Sequence, residues 1–376
     1  MTLFDGLNFG WRTALLSVAL AQLLLIAAAL LRPIANRSAN RTLAALLLVL
    51  AGICTPWMIG FAGFYDKWRW LTFLPVQITL AVAPLVWLYV RALVFGRWPE
   101  RAWRHLLLPL GQFAFLFGSF LLPLPIKNRW AELVGGPIDV IVTISTLIGL
   151  AVYGVASLQL LRRYRQWLAT QRADDDRFAS QWLQRVLIIT LLLAALWSGY
   201  GFWNLVSPLG YTGFMGLYVA IAAIALYLGI EGWRHAHLPF PPMPVLDVET
   251  VNDSGRDWRT SGTQWAAIVK TQRWHADPEL SLPVLARRLG TNSNYLSRAL
   301  NEGLGVNFSQ FVNALRSEAV AAMIDEGRDD DLLDLALEAG FSSKASFNRA
   351  FLNATGRTPS AYRTNVRQQR RVSKDE

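Results

Sequence analysis

A single cysteine, Cys54, and four histidines are all that 376 residues offer to thiol or imidazole chemistry. One thiol cannot close an intramolecular disulfide or build a thiolate metal cluster. His105, His235, His237 and His275 stand at no metal-ligand spacing, and two of them follow directly on an apolar stretch. The sequence contains no phosphate-binding glycine loop, no nucleophile elbow and no kinase-like or cyclase-like constellation. It is therefore read as a non-enzyme, and no cofactor and no metal is expected. Charge is scarce as well: 16% of the residues are Asp, Glu, Lys or Arg, against 53% drawn from AVILMFWYC. A soluble core does not need that much apolar surface, whereas a bilayer does.

The apolar residues are unevenly placed. Seven stretches, Thr13–Leu31, Thr42–Phe64, Leu71–Val90, Leu106–Leu124, Ile138–Leu160, Val186–Trp203 and Tyr211–Ile230, uncharged except for Asp139, are each read as long enough to cross a bilayer. Asp5 precedes the first and no small-residue cleavage pattern follows it, so it is read as a retained span rather than a leader peptide. Alternate loops carry thirteen basic residues, among them Arg32, Arg37, Arg41, Arg91, Arg97, Arg101 and Arg104, while the other loops and the N-terminal tail carry five. Basic loops stay on the cytoplasmic side. The expected topology is a multi-pass protein of the bacterial inner membrane with its N-terminus outside and its C-terminal part in the cytoplasm.

The formal charge of +10 suggests a nucleic-acid partner until it is located. Residues 1–232 hold 18 basic and 9 acidic side chains, and residues 233–376 hold 18 and 17. The excess is topogenic, so charge does not argue for DNA binding. Trp57, Trp68, Trp70, Trp87 and Trp203 lie near span ends and are read as an interfacial belt. Asp139 and Pro56 are the more informative residues there, the first as a solvated carboxylate or a sensing group and the second as a kink. The last two stretches contain no lysine, which excludes a retinal Schiff base. Paired buried charges or broken repeated helices, as in a coupled carrier, are absent from the pattern.

Four domains are expected: a seven-span sensor at 1–232, a linker at 233–261, a helical domain at 262–366 and a charged tail at 367–376. The linker contains Pro239, Pro241, Pro242 and Pro244 followed by Asp247, Glu249 and Asp253, which have little apolar surface to bury. In the helical domain, Trp265, Ile268 and Trp274 read as one face of an opening helix. Ser281 is positioned to cap the next, with Pro283 in its first turn. Leu285 and Leu289 lie one turn apart, Gly290 ends the helix, Asn292 caps the following one, and Tyr295, Leu296 and Leu300 point inward. About fifty residues later Leu332, Leu335, Ala336 and Ala339 repeat the spacing, Gly340 makes the turn, Ser342 caps, and Phe347 and Phe351 pack back. A helix from about Phe308 to Glu326, with Phe311, Leu315 and Met323 on its buried side, joins the copies.

The segment from Leu282 to Arg363 resembles the DNA-binding domain of AraC/XylS-type bacterial transcription regulators. The matching residues are Leu285-Ala286, Leu289-Gly290, Tyr295-Leu296-Ser297-Arg298, Leu304-Gly305, Asn307-Phe308, Phe311, Asn313 and Arg316. The second half matches as Leu335-Ala336, Gly340-Phe341-Ser342, Phe347, Arg349, Phe351, Gly356, Thr358-Pro359 and Tyr362-Arg363. Leu352, Ala345 and Val320 depart from the usual lysine, serine and alanine. The resemblance implies an all-α domain whose two recognition helices enter successive major grooves about 34 to 36 Å apart. The expected fold is thus all-α throughout, a transmembrane bundle followed by two helix-turn-helix motifs on a long connecting helix.

Ser293, Asn294 and Arg298 are the candidate DNA contacts of the first motif, and Ser343, Lys344, Ser346 and Arg349 those of the second. Gly290, Asn292, Arg316, Gly340, Phe341, Phe347, Phe351, Pro359 and Arg363 are assigned structural roles. Arg367, Arg370, Arg371 and Lys374 are read either as a phosphate-attracting tail or as a solvated one, blunted by Asp375 and Glu376. Double-stranded DNA and the lipid bilayer are the expected partners. A second copy of the chain, RNA polymerase and an unidentified sensory ligand are further candidates, and a membrane-anchored protein-interaction adaptor is the alternative reading.

Overall fold

The computed structural model describes residues 6–172, 181–207, 209–243 and 257–375. The part of the expected linker from Pro244 to Arg256 lies outside them, as do Arg177 and Glu376. The chain divides into two compact units, residues 1–162 with 181–245 and residues 163–180 with 246–376. Among the described residues the secondary structure is helical, apart from one isolated β-bridge between Arg172 and Ser281.

The first unit is built on α1 (Trp11–Leu30), α2 (Arg37–Phe61), α3 (Val82–Phe95), α4 (Leu107–Phe120), α5 (Leu124–Gln171, the last turns of which belong to the second unit), α6 (Gln181–Val206) and α7 (Met215–Arg234). Helix α1 packs along α2 and α7, and α2 along α3. Leu16, Leu23, Leu30, Leu43, Leu46 and Leu47 are fully buried in that contact. Ile141, Ile144, Ile148, Val152 and Val155 form an exposed stripe at helical spacing along α5. An apolar stripe of that length is the surface expected against lipid tails rather than water.

Among the described residues, five helices are long and apolar enough to cross a membrane: α1, α2, α5, α6 and the segment Gly210–Arg234 that contains α7. The expectation of seven full-length spans is corrected at the third and fourth stretches. The third opens with 3₁₀ turns at Arg69–Leu71 and Thr79–Ala81, and α3 and α4 are 14 residues each. Fourteen residues rise about 21 Å, short of roughly 30 Å of hydrocarbon. The fifth stretch is longer than expected: α5 runs 48 residues, about 72 Å, and absorbs residues 125–137, with Lys127 and Arg129, which separate the fourth and fifth stretches in the sequence.

Polar contacts mark one end of this bundle. The Trp98 indole donates to Thr42 Oγ1 at 2.8 Å, Asn40 donates to Ala236 O at 3.2 Å, and Asn36 donates to Leu238 O at 2.6 Å. The Met243 amide donates to Val94 O at 2.8 Å. The start of α2, the end of α3 and the chain leaving α7 therefore meet at the same level. Elsewhere Lys127, 2% exposed, donates to Trp70 O at 2.9 Å and Phe120 O at 2.7 Å, tying α5 to the end of α4. Trp57 stacks between Tyr211 (4.5 Å) and Tyr218 (4.2 Å), and Tyr211 donates to Pro56 O at 3.0 Å. Trp57 is thus part of an interhelical aromatic stack and not simply one member of a belt. Asp139 is exposed on α5.

The second unit contains α8 (Trp258–Thr271), α9 (Leu282–Arg288), α10 (Ser293–Arg298), α11 (Phe308–Asp325), α12 (Leu332–Glu338), α13 (Lys344–Thr355) and α14 (Pro359–Asp375). Asp257 caps α8 through the amides of Arg259 and Thr260 at 3.0 and 3.1 Å, so this helix opens before residue 262. Val269, Leu280, Leu282, Leu285, Leu296, Leu300, Phe308 and Phe311 form one core, and Val320, Met323, Ile324, Leu335, Phe341, Phe347 and Phe351 a second. Ile268, expected inward on α8, is 43% exposed, and the neighbouring Val269 is the buried residue. The residues of the expected tail up to Asp375 continue α14 as helix.

Candidate nucleic-acid interface

The two helix-turn-helix copies share one turn geometry. Gly290 has φ +68° and Gly340 φ +98°, values open to glycine at little cost. After each glycine the chain closes on the preceding helix: the Thr291 amide donates to Ala286 O and the Phe341 amide to Ala336 O, both at 2.9 Å. Asn292 then caps α10 by accepting from the Tyr295 amide at 2.8 Å. Helix α11, between the copies, opens with a capping box of Asn307 and Gln310, bonded both ways at 2.9 Å.

Two capping assignments change. Ser281 holds the N-cap position of α9 without a side-chain bond, and Pro283 occupies the first turn as expected. At α13 the cap is Ser343, not Ser342: Ser343 Oγ accepts from the Ser346 amide at 3.2 Å. Ser346 is 5% exposed and its hydroxyl donates to Ser343 O at 3.1 Å. That side chain is committed to the cap, which removes Ser346 from the groups presented to a base edge.

Helix α11 carries the link between the copies. Arg316 is 1% exposed; its Nε donates to His275 O at 2.7 Å, its Nη2 to Asp277 O at 2.7 Å, and its guanidinium lies 5.8 Å from the Phe341 ring centroid. The segment His275–Asp277, ahead of the first motif, is thereby held against the turn of the second. His275 is itself buried, and desolvation pushes its imidazole below the ordinary 6.5, so it is neutral in the folded domain. Its Nδ1 has no hydrogen-bond partner among the described residues. On the far side, Arg363 donates to Asp330 O at 2.9 Å, and Arg367 pairs with Asp329. Arg367 therefore serves the loop before α12 rather than a free tail. Pro359 opens α14.

The expected reading residues fall on the two short helices as follows. Asn294 and Lys344 are exposed in the first turns of α10 and α13, Ser293 is half-buried at the start of α10, and Arg349 is exposed on α13. Arg298 is half-buried: its Nε and Nη2 donate to the two Glu302 carboxylate oxygens at 2.9 and 3.2 Å, and its guanidinium sits 4.5 Å from the Trp258 ring centroid. Glu302 and Trp258 were not singled out from the sequence. The i,i+4 spacing of Arg298 and Glu302 was a usable signal, whereas Trp258 lies forty residues away and meets them only in the fold. Among the described residues no three His, Cys, Asp or Glu side chains are grouped to hold a metal.

Residues 285–365 match a family model described as a helix-turn-helix domain. An HTH-type transcriptional regulator of Staphylococcus aureus is 41% identical over 90 residues, which is 24% of this chain and 12% of that protein. The regulator YtdP of Bacillus subtilis is 34% identical over 91 residues, again 24% and 12%. This chain therefore covers only 12% of the length of these curated relatives. The C-terminal domain of AraT, a response regulator from Geobacillus stearothermophilus, is 23% identical over 28% of this chain and 84% of that one, with a TM-score of 0.25. The C-terminal region is accordingly an HTH transcriptional-regulator-type domain, fused here to a multi-pass helical region.

Proposed function

We propose that this chain is a membrane-embedded one-component transcription regulator of AraC/XylS type. In this reading the helical bundle perceives a signal, and a double helix-turn-helix unit binds DNA in a sequence-specific way. The observation that carries the proposal is the paired turn geometry at Gly290 and Gly340, repeated fifty residues apart and bridged by α11. Such a pair supports two readers addressing adjacent major grooves on one side of a duplex. Asn294, Arg298, Lys344 and Arg349 are the groups we assign to DNA, with Ser293 and Ser343 shaping the helix starts. The domain division follows the sequence reading: sensor, proline-containing linker, DNA-binding domain.

The basic loops support an outside N-terminus and a cytoplasmic DNA-binding unit. That orientation needs only an odd number of crossings, which five and seven both satisfy. Pairing of two chains in the membrane is the simplest output, because doubling the DNA-bound surface multiplies affinity. RNA polymerase is the natural partner of DNA-bound protein in this scheme, and the sensory ligand is of unassigned chemistry.

The test uses the full chain in lipid nanodiscs and a pool of random DNA duplexes. Enrichment of one motif with two half-sites about 10 base pairs apart, and affinity that falls steeply with salt, are the expected results. Failure to enrich any sequence would overturn the regulator and favour the adaptor reading.

A further inference from the structure

At the end of the bundle where α2 begins and α7 leaves, a cavity of about 420 Å³ opens beside the C-terminus of α3. Arg91, Arg97 and Arg101 line it, with Glu100 as the one carboxylate and Phe95, Trp98 and Pro99 as its apolar wall. Three arginines to one carboxylate give this half-open cavity a net positive lining. Arg91 is the deepest of them. Its guanidinium lies over the Trp87 and Phe95 rings, whose centroids are 5.5 and 4.9 Å from the guanidinium carbon. Its Nε is buried and has no hydrogen-bond partner among the described residues. A buried donor left without an acceptor costs about 1 to 3 kcal/mol, more when charged, a cost that an anion drawn against the same guanidinium offsets through its charge.

The wall of the cavity is anchored. The Trp98 indole is fixed to Thr42 at 2.8 Å while almost half of that side chain stays exposed. An indole with a bonded N–H and an exposed ring is suited to the headgroup level of a bilayer. Behind the cavity, the Met243 amide bonds Val94 O, and a Cβ placed on Gly96 would lie 3.6 Å from Pro242. The chain leaving α7 is thus fastened directly behind Phe95 and Arg97.

We propose that this cavity binds a net-anionic phosphate group, with the terminal guanidinium nitrogens of Arg91, Arg97 and Arg101 donating to its oxygens. Guanidinium forks match phosphate oxygens in geometry and charge, and a cavity of this volume accommodates one such group with its substituent. An acidic phospholipid headgroup and a free phosphate present the same chemistry to the site. The proposal is independent of whether the second unit regulates transcription.

The test measures thermal unfolding of the full chain in neutral detergent, because a ligand bound only to the native state raises its midpoint in proportion to RT ln(1 + [L]/Kd). Inorganic phosphate, short-chain phosphatidylglycerol and short-chain phosphatidylcholine are titrated separately against chloride at matched ionic strength. The expected result is a saturable rise with phosphatidylglycerol and none with phosphatidylcholine. A parallel rise with inorganic phosphate assigns the site to the phosphate alone, and its absence assigns it to the lipid headgroup. Arg91→Gln should weaken the binding at least tenfold, Arg91→Lys by less, and Glu100→Gln should tighten it several-fold. Equal responses to the two lipids, or unchanged affinity in Arg91→Gln, overturns the proposal. If Arg91→Gln fails to fold, an unchanged affinity in Glu100→Gln does so instead.

Discussion

Gly340 lies against the backbone of Ala276, so closely that a Cβ at position 340 would stand 2.6 Å from the Ala276 carbonyl oxygen. Its φ of +98° is also closed to most side chains. Gly290, the corresponding residue of the first motif, has φ +68° and nothing within 4 Å of an added Cβ. The two glycines make the same turn, and only one of them also contacts the segment ahead of the first motif. Gly340→Ala should therefore destabilise the second unit by about 3 kcal/mol and Gly290→Ala by about 1. Urea titrations of the two variants, followed through tryptophan fluorescence, check the difference; equal losses would remove the contact from the account.

Arg316 fastens the same segment from the other side. Replacing it by Met leaves the His275 and Asp277 carbonyls without their donors and should cost about 3 kcal/mol. Arg316→Lys keeps the charge but not the planar fork that reaches both oxygens, so it should recover only part of the loss. Denaturation midpoints of the two variants give the ordering.

His275 makes this junction sensitive to acid. Its folded pKa is depressed below the ordinary 6.5, so below that value the unfolded chain binds more protons than the folded one. The contribution is fully present above pH 6.5 and is lost progressively as pH falls below it. The urea midpoint of the second unit should drop between pH 7.5 and pH 5.5, and His275→Gln should flatten that dependence. An unchanged slope in the variant would assign the acid sensitivity to other groups.

The start of α13 distinguishes two adjacent serines. Ser343→Ala removes the cap of the Ser346 amide and should cost about 1 kcal/mol, while Ser342→Ala, at an exposed position before the cap, should stay within about 0.5 kcal/mol. Differential scanning calorimetry of both variants reads the register of the helix directly.

Glu302 holds the Arg298 guanidinium that the proposed function assigns to DNA, so under that proposal the two compete. Glu302→Gln should raise DNA affinity several-fold, whereas Arg298→Ala should lower it about tenfold or more and relax selectivity at one base. Lys344→Ala should reduce affinity alike on all sequences and lessen the salt slope by about one. Fluorescence anisotropy over a range of salt separates these outcomes.

Local pattern was enough for much of this protein. Hydrophobic period, turn glycines and short polar caps are properties of neighbouring residues, so the two helix-turn-helix copies, the cap at Asn292 and the buried faces of α11 and α13 were legible before any coordinates. Loop arginines likewise supplied an expected orientation. What needed the tertiary structure was every relationship between residues far apart in the chain. Hydropathy records how apolar a stretch is but not whether it stays helical, so the 3₁₀ turns before α3 and the continuous α5 reduced seven expected full-length spans to five. A choice between Ser342 and Ser343, or between Ile268 and Val269, turns on one residue of register, which packing sets. Trp258 beneath Arg298, Ala276 against Gly340 and the unmatched Arg91 Nε beside its cavity exist only once the helices are brought together, because charge, burial and hydrogen-bond supply are properties of a place in space rather than of a position in sequence.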